Sequence, residues 1–303
     1  MPTANSASRL KELILAPELL VMPGVFDPLS AKLAEQSGFD AVQCTGLGIS
    51  AVQAGYPDYS IMSMTDMAAA TERIARSVDI PVMADGDTGF GNAVNVYLTV
   101  RAFERSGAAG INLEDQVMPK RCGHLDGKQL IDLDEGVTKI RAAADARHNP
   151  DFVINARTDA LSVEGIDGVI RRGNAYLEAG ATMIFVEGVT SRELIESAVQ
   201  GLDGPVAINI VDGGKSPKGL TFTELQNLGV ARVSLPGVLL MSALQGMRQA
   251  LEQVRADDGT TNVARTSMSF KEIHDLVGTR EVQALEDTYL RPLATTTPGK
   301  YAV

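Results

Sequence analysis

The stretch AKLAEQSGFDAVQCTG, residues 31–46, decides how this chain folds. An amphipathic run stops at Gly38, and a short apolar run ending in Thr45 and Gly46 begins almost at once. The arrangement recurs in VRAFERSGAAGINLED (100–115), NAYLEAGATMIFVEG (174–188) and ELQNLGVARVSLPG (224–237). Each glycine suits the left-handed position that ends a helix and turns the chain into a strand. With LVMPGVF (20–26), PVMADGD (81–87), FVINARTD (152–159) and PVAINI (205–210), these make eight short strands separated by helices. The strands are nearly all apolar, as expected when both faces are buried in a parallel sheet. The pattern predicts a (β/α)8 TIM barrel over about residues 10–250, within a single domain of residues 1–303. A doubly wound sheet is the structural alternative.

Beyond about residue 250 the strand pattern stops. Residues 251–303 read as a C-terminal helical extension, with Phe270, Ile273, Leu276 and Val277 on one helix face and a polar, frayed end.

Composition narrows the function. A net charge of -11 and no basic run disfavour nucleic acid as a partner. Asp, Gly or Pro interrupts every apolar stretch, so no membrane partner is expected. Two cysteines and the absence of a targeting pattern point to a reducing cytoplasm.

In a barrel, chemistry gathers at the C-terminal ends of the strands. There the sequence places Thr45 and Gly46, Asp85 and Asp87, Glu114 and Asp115, Arg157 and Asp159, Glu187, and Asn209. Any one of these reads as a loop start or helix cap, but their convergence on one ring reads as a site. Asp85 and Asp87 stand two apart, so a strand would point both the same way. With Glu114 and Asp58 they form an all-oxygen set of the kind Mg2+ or Mn2+ prefers. The segment MPKRCGHLDGK (118–128) has the composition of a closing loop, and it concentrates Lys120, Arg121, Cys122 and His124. Neighbouring cations would lower the Cys122 pKa and make it a proton donor. Cys44, inside strand 2, reads as a buried thiol, and His148 and His274 are given no role.

The segments DGDTGFG (85–91), NLEDQ (112–116), KRCGH (120–124) and ARTDA (156–160) resemble the signatures of the isocitrate lyase and phosphoenolpyruvate mutase superfamily over roughly residues 10–255. KRCGH resembles the branch that splits carbon–carbon bonds, whose gating loop carries the catalytic cysteine. The resemblance implies Cys122 as acid, assisted by Lys120, Arg121, His124 and Glu114. It implies a metal on Asp85, with Asp58, Asp87 and Glu114 mostly acting through water. It also implies a small dicarboxylate substrate held by Thr45, Gly46, Leu47, Asp85, Gly123, Arg157, Glu187, Asn209 and Pro236. The implied assembly is a homotetramer that exchanges its eighth helix between subunits. Where tricarboxylate-cleaving members carry a tyrosine followed by Leu-Ser-Gly, this chain has Gln43, Cys44, Thr45 and Gly46, which favours 2,3-dimethylmalate, giving pyruvate and propionate, over methylisocitrate. Members that hydrolyse oxaloacetate to oxalate and acetate carry a serine near the end of strand 8, where Pro236 falls here with Ser234 close by; hydrolysis is the second expectation. Carboxyphosphonoenolpyruvate rearrangement and a non-catalytic binding role rank lower.

Overall fold

The computed structural model describes residues 5–123, 127–211 and 213–290. Eight parallel strands close into a barrel in sequence order: β1 Leu20–Val25, β2 Val42–Cys44, β3 Val82–Asp85, β4 Gly110–Glu114, β5 Val153–Thr158, β6 Met183–Val186, β7 Val206–Asn209 and β8 Arg232–Leu235. β1 pairs with β8 to complete the ring, with Met22 opposite Ser234. The expected TIM barrel is present. Among the described residues the helices are α1 Ser6–Leu15, α2 Pro28–Gln36, α3 Gly46–Ala54, α4 Met64–Ala75, α5 Ala93–Arg105, α6 Leu133–Ala146, α7 Gly165–Glu178, α8 Arg192–Gly201, α9 Phe222–Asn227, α10 Val238–Asp257, α11 Phe270–Leu276 and α12 Thr279–Tyr289.

The repeat works as its glycines require. Gly38, Gly107, Gly180 and Gly229 have φ of 84°, 89°, 106° and 87°, values that a side chain disfavours. At each, the glycine amide and the next one fold back on the helix: Gly38 to Glu35 and Phe39 to Ala34 repeat as Gly107 to Glu104 and Ala108 to Phe103. Gly180, Ala181, Gly229 and Val230 make the same two bonds. This closure satisfies the last carbonyls of the helix and aims the chain into the next strand.

Alternation along each strand then sorts side chains into two layers. Ile111, Ile154, Ala156, Ile184, Val186, Ile208 and Val233 belong to the larger apolar cluster, packed with helix residues such as Val100, Ile140 and Val169. Met22, Met83, Val153, Met183, Phe185 and Ala207 belong to a separate cluster, the barrel interior. Leu10 and Ile14 of α1 join that inner cluster, so α1 stoppers the N-terminal mouth. Each of these two buried side chains contributes about 1.5–3 kcal/mol. Ser8 and Lys11 fasten the stopper by hydrogen bonds to Asp151, just before β5.

The chain divides into two compact units, Met1–Gln245 and Gly246–Val303, and the division falls inside α10. In the second unit α11 opens with a reciprocal cap between Ser269 and Glu272. On its apolar face Leu276 is buried while Phe270 is exposed. Among the described residues no helix is long and apolar enough to cross a membrane.

Candidate active site

The open, C-terminal mouth holds a cavity of about 70 Å3. Its wall includes Thr45, Gly46, Leu47, Asp58, Asp85, Cys122, Gly123, Arg157, Glu187, Asn209 and Pro236, all among the residues expected to serve the site. Gln43, Asn112, Phe185 and Ser234 line it from inside the barrel.

β3 and α3 meet through one carboxylate. Asp85 ends β3; its Oδ2 accepts from the Gly46 amide at 2.9 Å and its Oδ1 from the Asp87 amide at 3.1 Å. A Cβ on Gly46 would lie 2.6 Å from Asp85 Oδ2, so only glycine admits this contact. Thr45 caps α3 by accepting from the Gly48 amide, and its own amide donates to Val25. Asp87 reaches the site by a different route from the strand alternation expected of it. β3 has already ended, and Asp87 sits in a turn at φ 46°.

Lys120, fully buried, stands among the acids, 2.6 Å from Asp58 Oδ1 and 3.0 Å from Asp87 Oδ1. Burial alone would favour its neutral amine, but Asp87, Glu114, Asp58 and Asp85 together hold the ammonium well above its ordinary pKa. Burial pushes the Asp87 carboxyl up to about 6 despite the pull of Lys120. Burial likewise holds Glu114 well above the carboxylate range, against Arg157 and Lys120.

Arg157 is the second hub. Its Nε lies 3.2 Å from Glu114 and 3.0 Å from Asp159, its Nη1 lies 3.4 Å from Glu187, and its guanidinium covers the Phe185 ring at 5.3 Å. For Asp159, Arg157 and Lys128 outweigh the cost of burial and hold the carboxyl down at about 2.

The loop after β4 is tied at its base and on both sides of its cysteine. At the base, the Val117 amide donates to Gln129 O at 2.8 Å, and Gln116 bridges Leu130. Gln116 exchanges two hydrogen bonds with the Arg121 backbone, at 2.9 and 3.0 Å. Lys128, paired with Asp159 at 2.7 Å, donates to Gly123 O at 2.8 Å. Cys122, half-buried between these anchors, faces the cavity. A Cβ on Gly123 would lie 2.5 Å from Arg157 Nη2 and still closer to Glu187, so glycine lets the loop settle there. His124 lies outside the described residues. Cys44 is a buried thiol that burial raises to about 12.

The donor set suits a hard divalent cation, since it is all oxygen and short of positive charge. Glu114 Oε1 is buried with no hydrogen bond among the described residues. Asp87 Oδ1, which lies 3.0 Å from Lys120 as an ion pair, has no hydrogen bond among the described residues either. Among the described residues no three acidic, histidine or cysteine side chains already converge on one point. Lys120 sits between Asp58 and Asp87 instead.

Three residues escaped the sequence reading: Asn112, which lines the cavity, and Asn155 and Arg232, buried in the barrel beneath it. Asn155 donates to Asn112 at 2.5 Å inside the barrel. Arg232 is completely buried on β8. The signal for Arg232 was available, as one charge at the start of a short strand with no other charged residue. The buried anchor Lys128 was also missed; it lies in a polar loop where only the folded chain reveals its partner.

A closed parallel barrel whose strand ends carry an acidic, cation-seeking ring beneath a cysteine-bearing loop defines an enzyme of small-acid chemistry. The phosphoenolpyruvate phosphomutase family matches residues 10–255, and the chain belongs to the phosphoenolpyruvate mutase/isocitrate lyase superfamily, as a lyase. It is 42% identical to 2,3-dimethylmalate lyase of Eubacterium barkeri, over 94% of this chain and 98% of that one. It is 39% identical to 2-methylisocitrate lyase of Aeropyrum pernix, over 89% and 86%. Among solved structures it resembles oxaloacetate acetylhydrolase in complex with 3,3-difluorooxalacetate, at TM-score 0.89 and 33% identity, covering 95% of this chain and 98% of that one. It also resembles phosphonopyruvate hydrolase in complex with oxalate and Mg2+, at TM-score 0.86 and 34% identity, covering 96% and 100%.

Proposed function

We propose that the protein cleaves a 2-hydroxy dicarboxylic acid, 2,3-dimethylmalate or a close analogue, to pyruvate and a second carboxylic acid. The observation that carries this reading is the placement of Cys122 on the wall of the cavity that also holds Asp85, Arg157 and Asn209. A proton donor and a carboxylate clamp thus share one space.

Asp85 would hold Mg2+ or Mn2+ directly, with Asp58, Asp87 and Glu114 acting through water. When bound, the cation would lower the pKa of the substrate hydroxyl and neutralise the developing alkoxide. The amides of Thr45 and Gly46 already have partners, so a substrate carboxylate at the start of α3 would take the amide of Leu47. With the hydroxyl proton given up to water, collapse of the alkoxide to a ketone breaks the C2–C3 bond and leaves the electron pair on C3, delocalised into the adjoining carboxylate. Arg157 and Asn209, with Glu187 orienting both, hold that half. The Cys122 thiol gives its proton to C3 and regains one from water, with Lys120, Arg121 and His124 proposed to assist. Gly123 lets the loop approach, and Pro236 shapes the opposite wall.

A second reading, hydrolysis of oxaloacetate to oxalate and acetate, is supported by Ser234 on the cavity wall. Cleavage of 2-methylisocitrate is a third, which Gln43 on the floor disfavours. The test is to supply Mg2+ with 2,3-dimethylmalate, 2-methylisocitrate or oxaloacetate and follow pyruvate and oxalate separately. Pyruvate from dimethylmalate is expected; oxalate alone, from oxaloacetate, would overturn the lyase reading.

The exposed apolar residues Met247, Leu251 and Val254 of α10 and Val282, Leu285 and Tyr289 of α12 support a homotetramer with exchanged helices. Light scattering that returned a monomer would sink this assembly. A cytoplasmic setting agrees with a sequence that holds only two cysteines.

A further inference from the structure

Under the cavity floor lies a cation that the reaction as drawn does not use. Arg232 is completely buried, makes no ion pair among the described residues, and leaves its Nε without a hydrogen bond among them. Burial draws its guanidinium down to about 9. An isolated buried charge is expensive, and its neighbours are informative. Its Nη1 donates to Gln43 Oε1 at 3.3 Å, its Nη2 donates to Ser234 Oγ at 2.8 Å, and its guanidinium covers Phe185 at 5.4 Å. All three neighbours line the cavity.

A guanidinium can only donate. Ser234 must therefore accept from it and send its single proton elsewhere, to Asn209 Oδ1 at 2.6 Å. That fixes the Asn209 amide with Nδ2 toward Glu187, 3.1 Å away, and toward the cavity. In the same way Gln43 turns its oxygen to Arg232 and donates through Nε2 to Cys44 O at 2.8 Å. One obligate donor thus sets the hydrogen-bond direction of three cavity residues, and the Ser234 proton is already committed.

We propose that Arg232 is a positioning residue of this site. It fixes the polarity of Gln43, Ser234 and Asn209 and adds positive potential beneath a bound dicarboxylate. The proposal rests on the reading above that the cavity takes a dicarboxylate.

Oxalate is the probe, titrated calorimetrically into the Mg2+-loaded full-length protein, with pyruvate release from dimethylmalate followed in parallel. Arg232→Met is expected to weaken oxalate roughly ten- to fiftyfold, as loss of a nearby charge in a partly desolvated site does. KM should rise more than kcat falls. Arg232→Lys, which restores charge and donors, should recover most of the affinity. Ser234→Ala, which keeps the charge and breaks the relay, should cost about two- to tenfold. Undiminished oxalate binding by Arg232→Met, or no recovery by Arg232→Lys, would overturn the proposal. If Arg232→Met does not fold, unchanged affinity in Ser234→Ala would overturn it equally. Failure of the wild-type protein to bind oxalate would overturn the dicarboxylate reading, and the proposal with it.

Discussion

Two cations divide the acids of the site between them. Lys120 gathers Asp58 and Asp87, while Arg157 gathers Glu114, Asp159 and Glu187. Cys122→Ser tests the proton-donor role. Pyruvate release should fall about 10²-fold or more, the usual worth of a positioned acid, while calorimetry still records oxalate binding. Retained turnover would remove Cys122 from the chemistry. At this scale much was legible in the sequence, because inward side chains recur every second residue toward a strand end. Glu114, Arg157 and Asn209 follow that rule. Asp87 does not, since its place depends on a left-handed turn, and the partners of Arg232 belong to β2, β6 and β8, which only barrel closure brings together.

At the scale of elements, the loop after β4 is presented by its anchors and the helix–strand units by their glycines. Lys128→Met should remove the tie from Asp159 to Gly123 and let Cys122 wander. The expected result is a fall in kcat of roughly tenfold to a hundredfold with oxalate affinity little changed, because displacement by about 1 Å carries that penalty. An unaltered kcat would show that Gln116 alone holds the loop. Gly38→Ala isolates the helix-ending conformation, because a Cβ there meets nothing within 4 Å while φ stays at 84°. Denaturant unfolding should show a loss of about 1–2 kcal/mol. No loss would mean that the chain tolerates another exit from α2. The four glycines were the most readable signal in the sequence, since a left-handed residue is a local demand. The bounds of the strands were less so: β3 stops at Asp85, short of the expected residue 87, because the turn to Asp87 begins there.

Over the whole molecule, acid should loosen the barrel through Asp159. Its pKa is held at about 2 against an ordinary 3.8, so its stabilising contribution is present in full above pH about 4 and lost as pH falls toward 2. That difference is worth roughly 2 kcal/mol. In Asp159→Asn the gap in thermal midpoint from wild type should therefore narrow between pH 5 and pH 2.5, and a constant gap would refute the linkage. Mg2+ at about 100 times its Kd should raise stability by about 2.7 kcal/mol, reversed by chelation. A midpoint unmoved by either treatment would count against a cation site. The barrel itself was legible from strand number and apolar character. The stopper was not, because α1 precedes the first repeat and its Leu10 and Ile14 find their partners only inside a closed ring. Its order of assembly has a consequence for synthesis. α1 is translated before every strand of the barrel, yet the vessel it seals cannot close until β8, beginning at Arg232, is translated and pairs with β1. A nascent chain stalled before Arg232 therefore keeps its stopper without a seat, open to protease and in need of a chaperone, however much of the barrel has already been made.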